Sequence, residues 1–137
     1  METEYAKPLP AITLDSQPFW DALKRHELMI QRCRNCGTYR HYPRPMCSKC
    51  HSFDSEFVKV SGKGRVYSWT VAHHAYDFRF SEEVPYAIVI AELDDGVRMM
   101  GNMVDTKPEE LKFGMPVEVV FEDVTDEITI TKFRRAQ

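Results

Sequence analysis

The sequence predicts a mostly β chain in three parts: an N-terminal helix, a metal ribbon and a five-stranded barrel. Three observations carry this expectation. All 4 cysteines fall in one stretch, CRNCGTYRHYPRPMCSKC over 33–50, as two Cys-x-x-Cys pairs. From Gly64 onward the apolar residues alternate with period two, as in half-buried strands. The strand candidates then come as three, a short helix and two more, which is the order of the OB-fold, a partly open five-stranded barrel. The expected divisions are 1–31 for the helical segment, 32–62 for the ribbon and 63–137 for the barrel.

Residues 14–30, LDSQPFWDALKRHELMI, read as helical. Asp15 or Ser16 can cap the first turn, Pro18 fits within it, and Phe19, Trp20 and Leu23 supply an apolar face. His26-Glu27 marks a turn before a second short helix or strand. After the cysteines, HSFDSEFVKVSGKG leads out, with Gly62 and Gly64 as turn residues. GRVYSWTVAH is the first barrel strand, with Tyr67, Trp69 and Val71 on one face and Val66, Ser68 and Thr70 on the other. PYAIVIAEL is apolar on both faces, as a central strand would be. Asp94-Asp95-Gly96 signals a hairpin. VRMMGNMV returns, and Gly101 inside it marks a bulge or a close backbone approach. TKPEELKFG reads as a short helix, with Thr106 and Glu109 at capping-box spacing and Gly114 at its end. PVEVVFED and EITITKFRR complete the barrel. The first 60 residues hold too little apolar material for a core of their own. The helix is therefore expected to pack on the barrel, and a metal to order the ribbon.

Each Cys-x-x-Cys pair can make a tight turn that points two sulfurs at one place. Two such turns face to face give a four-thiolate cage, the usual structural zinc site, with Cys33, Cys36, Cys47 and Cys50 as ligands. The same geometry accepts iron, as in rubredoxin. Metal binding at such a site stabilises by about 10–16 kcal/mol in apparent terms at neutral pH, far more than burial can give so small a segment. A redox dithiol normally has one Cys-x-x-Cys in a βαβ setting, which is missing here. His41 and His51 lie close by but read as surface residues beside a complete thiolate set. With every ligand a protein group, the ion is expected to hold shape and not perform chemistry.

Charge and hydropathy narrow the function. The start, METEYAKPLP, lacks the basic and apolar regions of a secretory signal. The longest apolar run, YAIVIA over 86–91, is too short to cross a bilayer. A cytoplasmic location is expected, where thiols stay reduced and favour metal over disulfides. The net charge of -3 is unevenly spread. Residues 24–50 carry seven basic side chains against Glu27 alone, whereas residues 1–23 and 51–137 are both acidic overall. Arg32, Arg34, Arg40, Arg44 and Lys49 thus surround the cysteines and can steer an anionic partner, or else they pair with acids elsewhere in the fold.

AHHAYDFRF over 72–80 is the one cluster with acid–base character, through His73, His74, Tyr76 and Asp77. No GxSxG motif, spare cysteine, phosphate loop or dinucleotide fingerprint accompanies it. An aromatic loop that packs on a partner or substrate is the expected role.

Taken together, PFWDAL, CRNCG…CSKC with YPRP between the pairs, GKGRVYSWTV, PYAIVIAELDDGVRMMG and GMPVEVVF resemble, over about 14–134, one family. It is the acyl-CoA-associated OB-fold family with a rubredoxin-like zinc ribbon, long classed as a domain of unknown function. The resemblance implies a small cytoplasmic partner of thiolase-fold or aldolase enzymes that itself catalyses nothing and helps hold or pass an acyl-CoA. Such partners accompany thiolases, including those of aromatic-compound degradation, and sterol side-chain aldolases. Only the four cysteines carry over as residues of defined family function. The basic residues would meet the coenzyme A phosphates, since arginine forks suit phosphate. The competing expectation is single-stranded nucleic-acid binding, with Tyr67 and Trp69 stacking on bases. The acidic barrel half argues against it.

Overall fold

The computed structural model describes residues 5–136; Glu2 and Glu4, part of the acidic start, lie outside the described residues. The described residues form two antiparallel sheets, one α-helix and two short 3-10 turns. The helix, α1, spans Gln17–Lys24. Strands β1 (Leu28–Cys33), β2 (Tyr39–Arg40) and β3 (Ser55–Val60) form a three-stranded sheet in the order β2-β1-β3. Strands β4 (Lys63–Ala72), β5 (Tyr86–Leu93), β6 (Arg98–Asn102), β7 (Pro116–Asp123) and β8 (Thr129–Arg135) form the second, in the order β6-β5-β4-β7-β8. A parallel bridge from Met103 to Phe133 brings the two ends of that sheet together, and the Val104 N–H donates to the Phe133 carbonyl at 2.8 Å. The result is the predicted OB-type barrel.

The helix is shorter than its sequence suggested. His26 sits at φ +57°, and the N–H groups of Arg25, His26 and Glu27 return to the carbonyls of Ala22 and Leu23, which closes the last turn. Leu28, Met29 and Ile30, within the helical reading, instead pair with Val60, Lys59 and Val58 of β3. Aliphatic residues that offer a flat pairing edge gain more from a sheet than from two further helical turns. Ser16 stands at the N-cap position without capping; it is buried, and its Oγ accepts from the Thr13 N–H at 3.0 Å.

Phe19, Ala22 and Leu23 bury the inner face of α1, which packs on β1 and β8. The same apolar cluster takes in Leu28 and Ile30 from β1, Val60 from β3, and Val66, Val89, Val117 and Phe133 from the barrel. Ribbon and barrel therefore share one core, as the apolar-poor start of the chain required.

Within the barrel, β4 carries a bulge at Tyr67: Val66 pairs with Ala91 and Ser68 with Ile90. The extra residue breaks the expected alternation. Val66 is buried, Tyr67 is exposed and Trp69 packs on the core, so Tyr67 and Trp69 do not share a face. The Asp94-Asp95-Gly96 turn is present, with Gly96 at φ +94°. At Gly101 the Phe133 ring is so close that a Cβ would lie 2.9 Å from it, the close approach expected there. The short helix after β6 is one 3-10 turn, Pro108–Glu110, and its reciprocal contact is Lys107 N–H to Glu110 Oε1 at 3.1 Å, one residue beyond the Thr106/Glu109 pairing.

Two contacts in this architecture have measurable consequences. A Cβ on Gly64 would lie 2.3 Å from the Glu92 carbonyl oxygen and 2.8 Å from Leu93 Cα, both backbone atoms of the paired strand. Gly64→Ala is expected to lower the unfolding free energy by about 1–3 kcal/mol, read from urea denaturation. An unchanged midpoint would contradict the close β4–β5 approach.

The second contact ties the turn after α1 to the end of β7. Asp123 accepts a hydrogen bond from Thr129 Oγ1 at 2.5 Å and lies 3.0 Å from His26 Nε2, and these two partners hold its carboxyl below the ordinary 3.8. Because the folded value is the lower one, ionised Asp123 contributes stability above the ordinary carboxylate range, and that contribution disappears as pH falls through the folded value. Asp123→Asn is expected to flatten the acid limb of the stability–pH curve below about pH 4. Parallel curves for the two proteins would show that the contact contributes nothing.

Candidate functional site

The two cysteine turns are built alike. The Gly37 N–H returns to the Cys33 carbonyl at 2.9 Å, and the His51 N–H returns to the Cys47 carbonyl at 2.9 Å. Gly37 and His51 both adopt positive φ, +77° and +65°, so the second turn places a histidine where the first has glycine. Strand β1 delivers Cys33 from the core side, and the adjoining turns bring up the other three.

The four sulfurs lie within 4.8 Å of one another, with Cys33 and Cys50 3.6 Å apart and Cys36 and Cys47 3.6 Å apart. These separations are far too long for disulfides. A tetrahedral ion with metal–sulfur bonds of ~2.3 Å sets its sulfurs about 3.8 Å apart, so the cage fits such an ion.

Neighbouring groups favour the thiolate form at three of the positions. Thr38 beside Cys36, the amides of Cys50 and Lys49 beside Cys47, and the Asn35 side chain beside Cys50 lower those thiols. Cys33 takes a bond from the Cys36 amide, yet burial and its sulfur neighbours leave it raised. A resident cation would offset that remaining cost.

The five basic residues fall into two groups. Arg32 lies 3.8 Å from Glu56 and over the Tyr39 ring, and Arg34 lies 3.8 Å from both Asp54 and Glu56. Both therefore have acidic partners on the ribbon itself. Arg40, Arg44 and Lys49 have no carboxylate within 4.0 Å among the described residues. All three line a shallow, open depression between the ribbon and the β5–β6 hairpin, to which the barrel adds Glu92 and Arg98.

Arg40 is only 5% exposed, unlike the surface fork its sequence context suggested. Its Nε and Nη2 donate to the Arg44 carbonyl at 3.2 and 2.7 Å, and its Nη1 is buried with no hydrogen-bond partner. Gln31, also buried, completes this network by accepting from the Arg44 N–H at 2.8 Å and donating to Ser55 Oγ at 3.0 Å. Sequence reasoning missed Gln31 and Arg98. A polar residue in the apolar run LMIQRC was the available signal for the first.

His73 and His74 are exposed in the loop after β4, and His74 meets Tyr76 edge-on at 4.8 Å. Tyr76 is 97% exposed and Phe78 81% exposed. Asp77 does not partner the histidines: it is paired with Arg79, whose side chain and amide pull its carboxyl to about 2. A carboxylate with so low a pKa is a poor proton acceptor near neutrality. His26, Asp123 and Thr129 are also linked, but the carboxylate lies between the hydroxyl and the imidazole. A nucleophile relay needs the imidazole in the middle. His41, packed against Phe19 and Tyr42, is desolvated enough to fall to about 4.

No helix among the described residues is long and apolar enough to cross a membrane.

Two family models match the chain: the ChsH2 rubredoxin-like zinc ribbon domain over 20–56 and the ChsH2 C-terminal OB-fold domain over 57–122. A probable enoyl-CoA hydratase alpha subunit of Thermomonospora curvata is 41% identical over 130 residues, 95% of this chain but 40% of that protein. This chain thus spans well under half of that relative's length. A DUF35 domain-containing scaffold protein of Methanocaldococcus jannaschii is 42% identical over 79% of this chain and 77% of its own length. Among solved structures, the Ltp2-ChsH2(DUF35) aldolase superposes with a TM-score of 0.84 at 40% identity, covering 94% of this chain and 100% of that one. In the order of its parts, and by similarity over nearly its whole length, this chain belongs to the DUF35 family, which joins a rubredoxin-like zinc ribbon to an OB-fold.

Proposed function

We propose that this chain is a non-catalytic subunit of a cytoplasmic enzyme that makes or breaks carbon–carbon bonds in acyl-CoA substrates. The partner is of thiolase or aldolase type. The observation that carries this reading is the end-to-end likeness to the DUF35 chain of the Ltp2-ChsH2(DUF35) aldolase. The site chemistry supports it. The four thiols converge on one point, the exposed histidines lack a carboxylate, and Asp77 is held by Arg79. The reactive nucleophile would come from the partner.

In this reading Cys33, Cys36, Cys47 and Cys50 hold zinc, which stiffens the ribbon as a platform. Arg40, Arg44 and Lys49 face the acyl-CoA, with Arg32 and Arg34 further out on the ribbon. The loop bearing His73, His74, Tyr76 and Phe78 meets the partner or the substrate. Large, nearly fully exposed aromatic side chains of this kind are enriched at interface centres.

Zinc is expected at one ion per chain by elemental analysis of the protein from its native host. Iron in its place would revise the metal and leave the cage. Cys47→Ser, or removal of the ion by a strong chelator, should unfold the ribbon, since most of about 10–16 kcal/mol of binding is lost. Retention of the amide spectrum of residues 28–60 without metal would contradict a structural role.

Used as bait in the native host, the chain is expected to capture a thiolase- or aldolase-type enzyme and to show negligible turnover of β-ketoacyl-CoA alone. Tyr76→Ser with Phe78→Ser should release that enzyme while changing the stability of the free chain by less than about 0.5 kcal/mol. Substantial cleavage by the isolated chain would refute the reading.

A further inference from the structure

The two cysteine turns align position by position, Cys33-Arg34-Asn35-Cys36-Gly37-Thr38 with Cys47-Ser48-Lys49-Cys50-His51-Ser52. In each turn the first cysteine lies inside and the second lies further out. Cys33 and Cys47 are each 1% exposed, whereas Cys36 is exposed and Cys50 half-buried. Backbone amides reach all four sulfurs, so they do not set the outer pair apart from the inner pair.

The side chains do. Thr38 Oγ1 lies 3.1 Å from Cys36 Sγ, and Asn35 Nδ2 donates to Cys50 Sγ at 3.3 Å. A sulfur bound to a metal has lost its proton, so at Cys36 the hydroxyl becomes the donor. Among the described residues, no hydroxyl or side-chain amide stands at hydrogen-bond distance from Cys33 or Cys47. The likeness of the turns makes the choice of donor informative. Ser52 holds the place of Thr38, but its Oγ accepts from the Asp54 N–H at 3.1 Å. Asn35 reaches over from the first turn and supplies Cys50 with a donor, so its bond also ties one turn to the other.

Outer sulfurs are the ones that a competing ligand or an electrophile meets first, because the thiolate is the nucleophile. Four thiolates around a divalent ion carry excess negative charge, and N–H and O–H donors stabilise it where it is most open to attack. Removing such a supporting partner typically costs about 10–100-fold in metal affinity.

We propose that Asn35 and Thr38 are positioning residues of the metal site, one donor for each outer sulfur, and that they hold the ion against exchange with competing ligands. The proposal rests on the reading of the four cysteines as a metal cage and is independent of the subunit role.

The test uses the zinc-loaded full chain. Zinc transfer to an excess of chromogenic chelator is timed. Alkylation by iodoacetamide, in which sulfur bonds to the methylene carbon as iodide leaves, is mapped by peptide mass spectrometry. It is read at low extent, before a first modification loosens the other sulfurs. Asn35→Ala and Thr38→Val should each speed zinc transfer about tenfold or more. The first alkylation should move toward Cys50 in Asn35→Ala and toward Cys36 in Thr38→Val. Asn35→Asp keeps the shape but has no N–H to give, so it should release zinc at least as fast as Asn35→Ala. Thr38→Ser keeps the hydroxyl and should stay within about twofold of the parent chain, and so should Ser52→Ala. In the cobalt-loaded chain, Asn35→Ala should shift the sulfur-to-metal charge-transfer bands while the tetrahedral pattern remains.

Unchanged transfer rates in Asn35→Ala and Thr38→Val would overturn the proposal. So would alkylation that rises equally at all four cysteines, which marks general loosening, or recovery of the parent rate in Asn35→Asp. Ser52→Ala matching Thr38→Val would do the same. Metal held by the parent chain with these variants unaltered would defeat this inference alone. A parent chain that takes up neither zinc nor cobalt would defeat the metal reading and this inference with it.

Discussion

Four thiol groups within 4.8 Å of one another, two pairs of them at 3.6 Å, are not a resting arrangement for free cysteines. Ionised, they would repel strongly at this range. Protonated, they would give up most of what their amide and hydroxyl neighbours offer. A cation at their centre removes both problems, and the rest of the ribbon follows from its position. The loop over 40–46 has only a two-residue strand, Tyr39–Arg40, to hold it to the sheet. Its placement depends on the cysteine turns at either end and on the buried hydrogen bonds of Gln31 and Arg40 between them. Without the cage, these polar groups would return to water.

The ribbon is nonetheless not a separate body tied to the barrel by a flexible linker. Leu28, Ile30 and Val60 project from its sheet into the cluster that includes Phe133 and Val117. Gly62, at φ +78°, makes the turn between the two sheets so tight that a Cβ there would lie 2.3 Å from Val119 Cγ1. One apolar core and one glycine turn therefore fix the ribbon against the barrel.

The sequence was most legible where a rule is local. Cysteine spacing, the Asp-Asp-Gly hairpin and the period-two strands each depend on a few neighbouring residues, and the barrel order could be assembled from them. It was least legible where tertiary contacts decide. Leu28–Ile30 fit helix and strand alike, and only the presence of β3 alongside selects the strand. The bulge at Tyr67 leaves no local signature, so the faces of β4 could not be assigned from alternation. Charge counting found the basic segment but not its division. Arg32 and Arg34 meet Glu56 and Asp54 from β3 and the turn before it, whereas Arg40 turns inward. Arg98 stood outside the basic stretch altogether, and only folding brings it to the same depression.

That division bears on what kind of protein this is. Among the described residues the thiols face one another, Asp77 is paired with Arg79, Asp123 fastens the turn after the helix to the barrel, and His73 and His74 stand exposed without a carboxylate. Two features stand apart from these pairings among the described residues: Arg40, Arg44 and Lys49 lie together on one face with no carboxylate within 4.0 Å, and an aromatic loop stands in solvent with Tyr76 almost fully exposed. Exposed aromatic surface is costly in isolation and useful in assembly, where another surface covers it, and clustered surface charge can steer an oppositely charged partner. On the proposed reading, the cage and the shared core hold these two surfaces in place for molecules other than this chain to cover.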